Sequence, residues 1–453
     1  MKKLLIATGL LLANYASAQT DYEAILAEYY SADGPGAAAL VVKEGEVLYR
    51  GARGMADIEL GVPLTADNVF RIGSVTKQFT TAGIMLLEQD GKLSVTDSIS
   101  DYLPDYPTHG YTITIEQLMS HTSGIFNYTD VPDYWSGAFI RSEVTTEEMI
   151  EFFKGLPMNF APGEQYSYSN SGYILLGAII EEVSGMSYPE FIQQRIFEPL
   201  GMTNSHYGGH QLIPNRATGY SEHDHEVVRA EYISMNHAHA AGALLSTVDD
   251  LRRWHEALYN YELLPEEAVS RMVTEYPLND GETAPYGYGI GVFDARGVET
   301  YGHTGGIHGF LSSARWMPNE RIFVAVLANS DSPHVTPNFV STRMALDAAG
   351  VDYPKFAAIE VDEEVLAEYV GVYRINDTDT REVTLEDGQL FTQRTGGDPL
   401  LVVPHGKDAF YYEASFTHLT FDREDGEIVA MSVYQNGAEE AEQAPLVDEE
   451  HSE

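Results

Sequence analysis

Apolar residues recur at Val75, Phe79, Ala82 and Leu86 in the stretch "SVTKQFTTAGIMLLEQD", at steps of four, three and four. That period predicts a helix from Ser74 to Asp90, with Gly91 as its stop signal. Ile84, Met85 and Leu87 add apolar residues on other sides, so this helix is expected to be buried nearly all round. Upstream, "YEAILAEYY" reads as a short helix. Residues 37–54, "AAALVVKEGEVLYRGARG", read as a hairpin of β-rich runs around Lys43-Glu44-Gly45-Glu46. Downstream, "TIEQLMSH", "TTEEMIEFF", "GYILLGAIIEEVSG" and "TVDDLRRWHEAL" are helical. Near residue 287 the pattern returns to strands: "GYGIGVF", "VETYGH", "LSSARWMP" and "RIFVAVLANS", with Pro318-Asn319-Glu320 as a tight turn. A helix at "FVSTRMALDAAG" closes the region. Strands at both ends with helices between imply a mixed sheet whose first and last strands are neighbours. The helical part would cover one face and add a lobe.

The pattern changes after residue 350. Residues 351–365 read as a linker. Residues 366–438 hold short strands spaced by Asp387-Gly388, His405-Gly406 and Asp425-Gly426, the turn signals of an antiparallel meander. With almost no helical periodicity, this region is expected to be a small β-barrel or sandwich. Residues 439–453 are acidic and expected to form a mobile tail.

Composition bounds the function. A length of 453 residues suggests two domains, with residues 19–350 as the first. Residues 1–18 carry Lys2 and Lys3, an apolar run from Leu4 to Ala13 and "ASA", the pattern of a secretory signal cleaved after Ala18. The protein is therefore expected to be periplasmic or secreted. No other stretch is long and apolar enough to span a bilayer, so no membrane insertion is expected. The absence of cysteine excludes disulfides and thiolate metal sites. A formal charge of −43 excludes nucleic acid as a natural partner. Oligomeric state is not readable.

Three stretches carry candidate chemistry. Ser74 and Lys77 lie three residues apart, on one helical face. A serine hydroxyl needs a nearby base, and a lysine is one only where its surroundings disfavour the charge. Burial at the start of an apolar helix, at the positive end of its dipole, would do that. In "PGEQYSYSNSGY", Tyr168 and Asn170 sit on a loop before a helix. A lysine charge about 4 Å from Tyr168 would supply about 4 kcal/mol at an effective dielectric of 20, enough to lower the phenol's pKa by three units. In "YGHTGGIHGF", His303 ends a β-run before paired glycines. The Gly306 and Ser74 N–H groups would together form an oxyanion hole.

Ser-x-x-Lys, Tyr-x-Asn and a basic residue before Thr-Gly, in this order, resemble the motif set of the class C β-lactamase and DD-peptidase superfamily. "NVFRIGSVTKQFT", "LMSHTSGI", "FAPGEQYSYSNSGYILLG", "AAGALLSTVDDLRRW" and "GHTGGIHGFLSSARWMP" resemble the same family, over residues 21–347. The C-terminal region is similar to the lipocalin-like barrels of D-aminopeptidase-like and esterase members. The resemblance implies an α/β (α+β) fold: an antiparallel sheet flanked by helices plus a helical lobe, then a small all-β barrel. It implies Ser74 as acylated nucleophile, Lys77 and Tyr168 as general bases, Asn170 on the substrate amide and His303 beside the leaving group or a carboxylate. Many members have lysine where this chain has His303. A mostly neutral histidine binds a carboxylate less firmly, which favours amide, peptide or ester substrates over β-lactams. The alternatives are a true class C-like β-lactamase or a non-catalytic penicillin- or peptide-binding receptor. No cofactor or metal is implied. His223-Asp224-His225 and His237-Ala238-His239 lack helical ligand spacing and read as solvated loop. His121 reads as a brace for a helix end. The aromatic stretch at 125–135 reads equally as an acyl-pocket wall or a packed loop.

Overall fold

The computed structural model describes residues 20–413 and 415–447. The expected leader, residues 1–18, lies outside the described residues, as does the tail beyond 447.

β1 (Ala37–Lys43) and β2 (Glu46–Arg53) form the predicted hairpin. Glu44 and Gly45 close it at φ 51° and 84°, the left-handed pair a type I′ turn requires. β3 (Gly291–Ala295), β4 (Val298–Ile307), β5 (Phe310–Met317) and β6 (Ile322–Ala328) complete a six-stranded sheet of order β3-β4-β5-β6-β1-β2. The first and last strands are neighbours, as the pattern implied. Every pairing is antiparallel, which corrects the expected mixed sheet. Successive hairpins reverse direction at each step, and no crossover joins adjacent strands.

Around the sheet are arranged α1 (Tyr22–Tyr29), α2 (Thr76–Gln89), α3 (Asn170–Ser184), α4 (Val248–Tyr259) and α5 (Pro337–Ala349). All of β6 is buried, because both faces are covered. Leu40, Phe323, Ala325 and Leu327 face the main core beneath the helical lobe. Val41, Val324 and Val326 face α1 and α5. The terminal helices therefore cover the face that the pattern left open.

α2 is buried from Thr76 to Leu87, polar residues included. Those polar groups tie it to its neighbours. The Thr80 hydroxyl donates to the Ala240 carbonyl at 2.6 Å, and that of Thr81 to the Tyr288 carbonyl at 3.0 Å. Trp254 Nε1 donates to Gln78 at 3.0 Å, and the Phe79 and Trp254 rings stack at 4.3 Å. The helix that carries the candidate nucleophile is thus held rigidly on all sides.

The C-terminal region is an eight-stranded meander: β7 (Gly371–Arg374), β8 (Thr380–Glu386), β9 (Gln389–Arg394), β10 (Leu400–Gly406), β11 (Ala409–Tyr411), β12 (His418–Glu424), β13 (Glu427–Tyr434) and β14 (Glu442–Pro445). A bridge between Tyr373 and Leu446 brings the ends together into a nearly closed barrel. Two expectations are corrected here. Residues 442–445 are not a mobile tail: they pair with β13 and cover its edge. The turn expected at His405-Gly406 lies at Lys407-Asp408, with Asp408 at φ 56°. Asp387-Gly388 and Asp425-Gly426 turn where expected. Arg296 Nη1 ties the two regions together by donating to the Asn436 and Gly437 carbonyls at 2.8 and 2.7 Å.

Candidate active site

The chain turns sharply before α2. Gly73–Val75 form one 3₁₀ turn, with Gly73 at φ 49°, and this leaves Ser74 partly exposed at the helix start. At a helix start the Ser74 N–H has no intrahelical acceptor.

Lys77 is fully buried beside it. Its Nζ lies 3.1 Å from Ser74 Oγ, 2.8 Å from Asn170 Oδ1 and 2.9 Å from the Ala241 carbonyl. Among the described residues no carboxylate pairs with it. Burial, unopposed by a counter-charge, holds the amine well below the ordinary lysine range. A neutral amine has two N–H groups and one lone pair. The Asn170 and Ala241 oxygens accept only, so they take the N–H groups, and the lone pair is left for the Ser74 hydroxyl. In its neutral form, an amine placed in this way can accept the Ser74 proton.

Tyr168 lies over the same amine, with Lys77 Nζ 4.7 Å from its ring centroid. Here one expectation is corrected. A lysine charge was to lower the phenol's pKa, but burial raises it, and a contact with Ser74 offsets only part of that. Burial thus favours the uncharged form of both Lys77 and Tyr168. A phenol so held can donate or relay a proton more readily than it can rest as an anion.

His121 holds Tyr168 in place. It sits at φ 60°, and its carbonyl accepts the Ser167 N–H at 2.9 Å while its Nδ1 accepts the Ser169 N–H at 3.1 Å. Its ring packs against that of Tyr168 at 4.2 Å. Burial holds the imidazole's pKa well below the ordinary histidine range. It braces the tyrosine loop as well as the end of its own helix. Asn127 does the same for Asn170, capping its N–H at 3.0 Å.

His303 is 7% exposed and lies on the far side of Tyr168, with ring centroids 6.2 Å apart. Nδ1–H donates to the Thr304 carbonyl, so Nε2 accepts the Tyr286 hydroxyl, 2.7 Å away. Burial, above all, pushes its pKa down to about 3. His303 is thus neutral at every pH of ordinary interest, more firmly than an exposed histidine would be. Both its nitrogens already have partners.

The glycines after His303 let the strand meet the serine turn. In register, Ala295 pairs with Val298 and Ile307 with Phe310, so the odd-numbered residues from 303 to 307 bond to β5. Thr304 and Gly306 then turn their N–H and C=O groups to the open edge, where β3 has ended. The Gly306 nitrogen lies against Gly73: a Cβ added at Gly73 would come 2.8 Å from it. Ser74 and Gly306 N–H groups are so brought together. A Cβ at Gly305 would lie 2.0 Å from the Ile72 carbonyl. Gly305→Ala is therefore expected to push β4 off the serine turn and lower kcat/KM by about a hundredfold or more, the effect of losing an oxyanion donor. Kinetics with a parallel thermal melt check this; unchanged kinetics would refute the close approach.

All six predicted residues, Ser74, Lys77, Tyr168, Asn170, His303 and Gly306, gather at this one place. Tyr286 and the Ala241 carbonyl belong to it and were not foreseen. The aromatic stretch divides: Tyr128 and Tyr134 are core, and Trp135 is 45% exposed. His223 and His225 are exposed on a separate hairpin, but His237 and His239 are buried in short helical turns, which corrects the solvated-loop reading of that pair.

An antiparallel sheet with helices on both faces, and a serine–lysine–tyrosine site between sheet and helical lobe, define the β-lactamase/transpeptidase-like class. The chain belongs to the Beta-lactamase family, whose match covers residues 22–349. Residues 356–449 match a domain of unknown function, DUF3471. Penicillin-binding protein 4* of Bacillus subtilis is 28% identical over 427 residues, 88% of this chain and 93% of that protein. D-aminopeptidase of Gluconobacter oxydans is 30% identical over 330 residues, 71% of this chain and 60% of that protein. A solved octameric penicillin-binding protein homologue from Pyrococcus abyssi superposes with TM-score 0.66 at 26% identity, covering 93% of this chain and 98% of that one.

Proposed function

We propose that this protein is an exported serine hydrolase that cleaves amide or peptide bonds, D-configured ones foremost and esters alongside, through an acyl-enzyme at Ser74. The observation that carries this is the buried Lys77 amine, 3.1 Å from Ser74 Oγ, held by the Asn170 and Ala241 oxygens and, among the described residues, without a carboxylate partner. A binding protein has no need of a buried lysine without a counter-charge there. Family membership and relatives named penicillin-binding protein and D-aminopeptidase support the same reading.

In this scheme Ser74 attacks the carbonyl while Lys77 takes its proton. The Ser74 and Gly306 N–H groups hold the oxyanion. Tyr168 passes a proton to the leaving amine, relayed from Lys77. Water then repeats the attack on the ester so formed. Asn170 steers the substrate amide, and His303 sits beside the leaving group. With His303 neutral, no cation lies there for a β-lactam carboxylate, which supports amides over lactams. Among the described residues no helix is long and apolar enough to cross a membrane. Export rests on the leader read from the sequence.

A panel of D- and L-amino-acid amides, acyl-D-Ala-D-Ala, nitrophenyl esters and nitrocefin tests the assignment. D-amides or peptides and esters are expected to turn over faster than nitrocefin. No turnover of any member, with no covalent labelling by a fluorophosphonate, would favour the receptor reading instead.

A further inference from the structure

Arg71 lies three residues before Ser74 and is 8% exposed. Its short strand, Phe70–Arg71, pairs with Leu245 and Ser246. Nη1 has only the His308 carbonyl, at 3.3 Å, and Nε has no partner. Among the described residues no carboxylate pairs with it, and Arg216 repels it. A protein with 69 acidic and 26 basic residues has carboxylates to spare, so a buried guanidinium left without one is informative. The nearby acids are engaged elsewhere. Asp331 accepts the Gly309 N–H at 2.7 Å and the Ser221 hydroxyl at 2.8 Å, and Glu231 pairs with Arg141. His308 adds a second buried orphan, its Nδ1. The half-exposed Trp135 ring lies 5.5 Å from the His308 ring, at the rim.

The place of this cluster along β4 gives it meaning. Tyr168, which protonates the leaving group, stands at the His303 end. The oxyanion donors stand at Gly306. The acyl half of a substrate laid along this edge must run the other way, past Ile307 to His308, about 7 Å beyond Gly306.

We propose that Arg71 and His308 form an anion-binding subsite for the acyl half of the substrate, so that the enzyme prefers acyl groups bearing a carboxylate. This rests on the serine-hydrolase reading for the direction of the substrate. The Arg71 guanidinium supplies the charge and its free N–H, His308 a polar neighbour, and Trp135 an apolar wall for the intervening methylenes.

Binding in a Ser74→Ala background tests the subsite apart from turnover. Adipoyl and hexanoyl p-nitroanilides match in length and differ in one terminal carboxylate. Calorimetry is expected to show the adipoyl compound binding about tenfold more tightly, the value of a charge-assisted hydrogen bond. That preference should shrink with added salt, vanish in Arg71→Met and persist in part in Arg71→Lys. Equal affinities, or a preference that survives Arg71→Met, would overturn the proposal and leave Arg71 a strut beneath His308. Should Arg71→Met fail to fold, the preference in the Ser74→Ala protein, its salt dependence and Arg71→Lys decide the matter. Wild-type turnover of the hexanoyl anilide reports the hydrolase reading separately.

Discussion

Ser74→Ala is expected to abolish turnover of every substrate, by about 10³- to 10⁶-fold in kcat/KM, and to abolish covalent labelling by a fluorophosphonate. The substitution removes one atom from a partly exposed position, so the fold should be untouched, and a thermal melt can confirm it. The size of the loss follows from the layout. Lys77, Tyr168 and the oxyanion donors all converge on one oxygen and have nothing to act on without it. Residual activity near wild type would mean that another nucleophile operates and that the convergence is accidental.

Lys77→Arg is expected to cost nearly as much, about 10²- to 10⁴-fold, although it keeps the charge. An arginine cannot release its proton at any accessible pH, and the role assigned to residue 77 is to accept one. The same argument fixes a pH profile. Below its depressed pKa the amine is protonated and its lone pair is gone, so kcat/KM should fall as pH drops through that value. Above it the amine is neutral and the rate should be flat. Because burial moves the transition well below the ordinary lysine range near 10.4, the plateau should already be present well before that pH. His303 cannot be the source of this limb, since its pKa lies at about 3. A profile that keeps climbing to pH 10 would restore an ordinary lysine. A Lys77→Arg protein with wild-type rates would remove the base altogether.

How much of this was legible in the sequence depends on how local each feature is. Ser74 and Lys77 are one turn apart, so helical periodicity alone puts them together and predicts the burial that neutralises the amine. Tyr168, His303 and Gly306 are far from them in sequence, and only the ordered set of motifs joined them. The register that turns Gly306 toward Ser74 follows from two short hairpin turns fixing the phase of β4. His121 was readable as a brace, but not as the brace of Tyr168, because that contact is tertiary. Tyr286 and the Ala241 carbonyl left no signal. The first is one tyrosine among 29, and the second is backbone. In the C-terminal barrel, β14 was missed because "EQAP" carries one buried apolar residue, Ala444. That strand exists because the edge of β13 needs a partner. Arg71 stood in plain view beside the motif, and its lack of an acid partner shows only once the chain is folded.

The pH dependence of Ser74 labelling by a fluorophosphonate tests the central claim most directly, since it needs no knowledge of the natural substrate. The second-order rate should rise through one ionisation well below 10, level off, and lose that ionisation in Lys77→Arg. A rate that tracks an ordinary lysine, or a profile unchanged by Lys77→Arg, would contradict the assignment of the buried amine as the base.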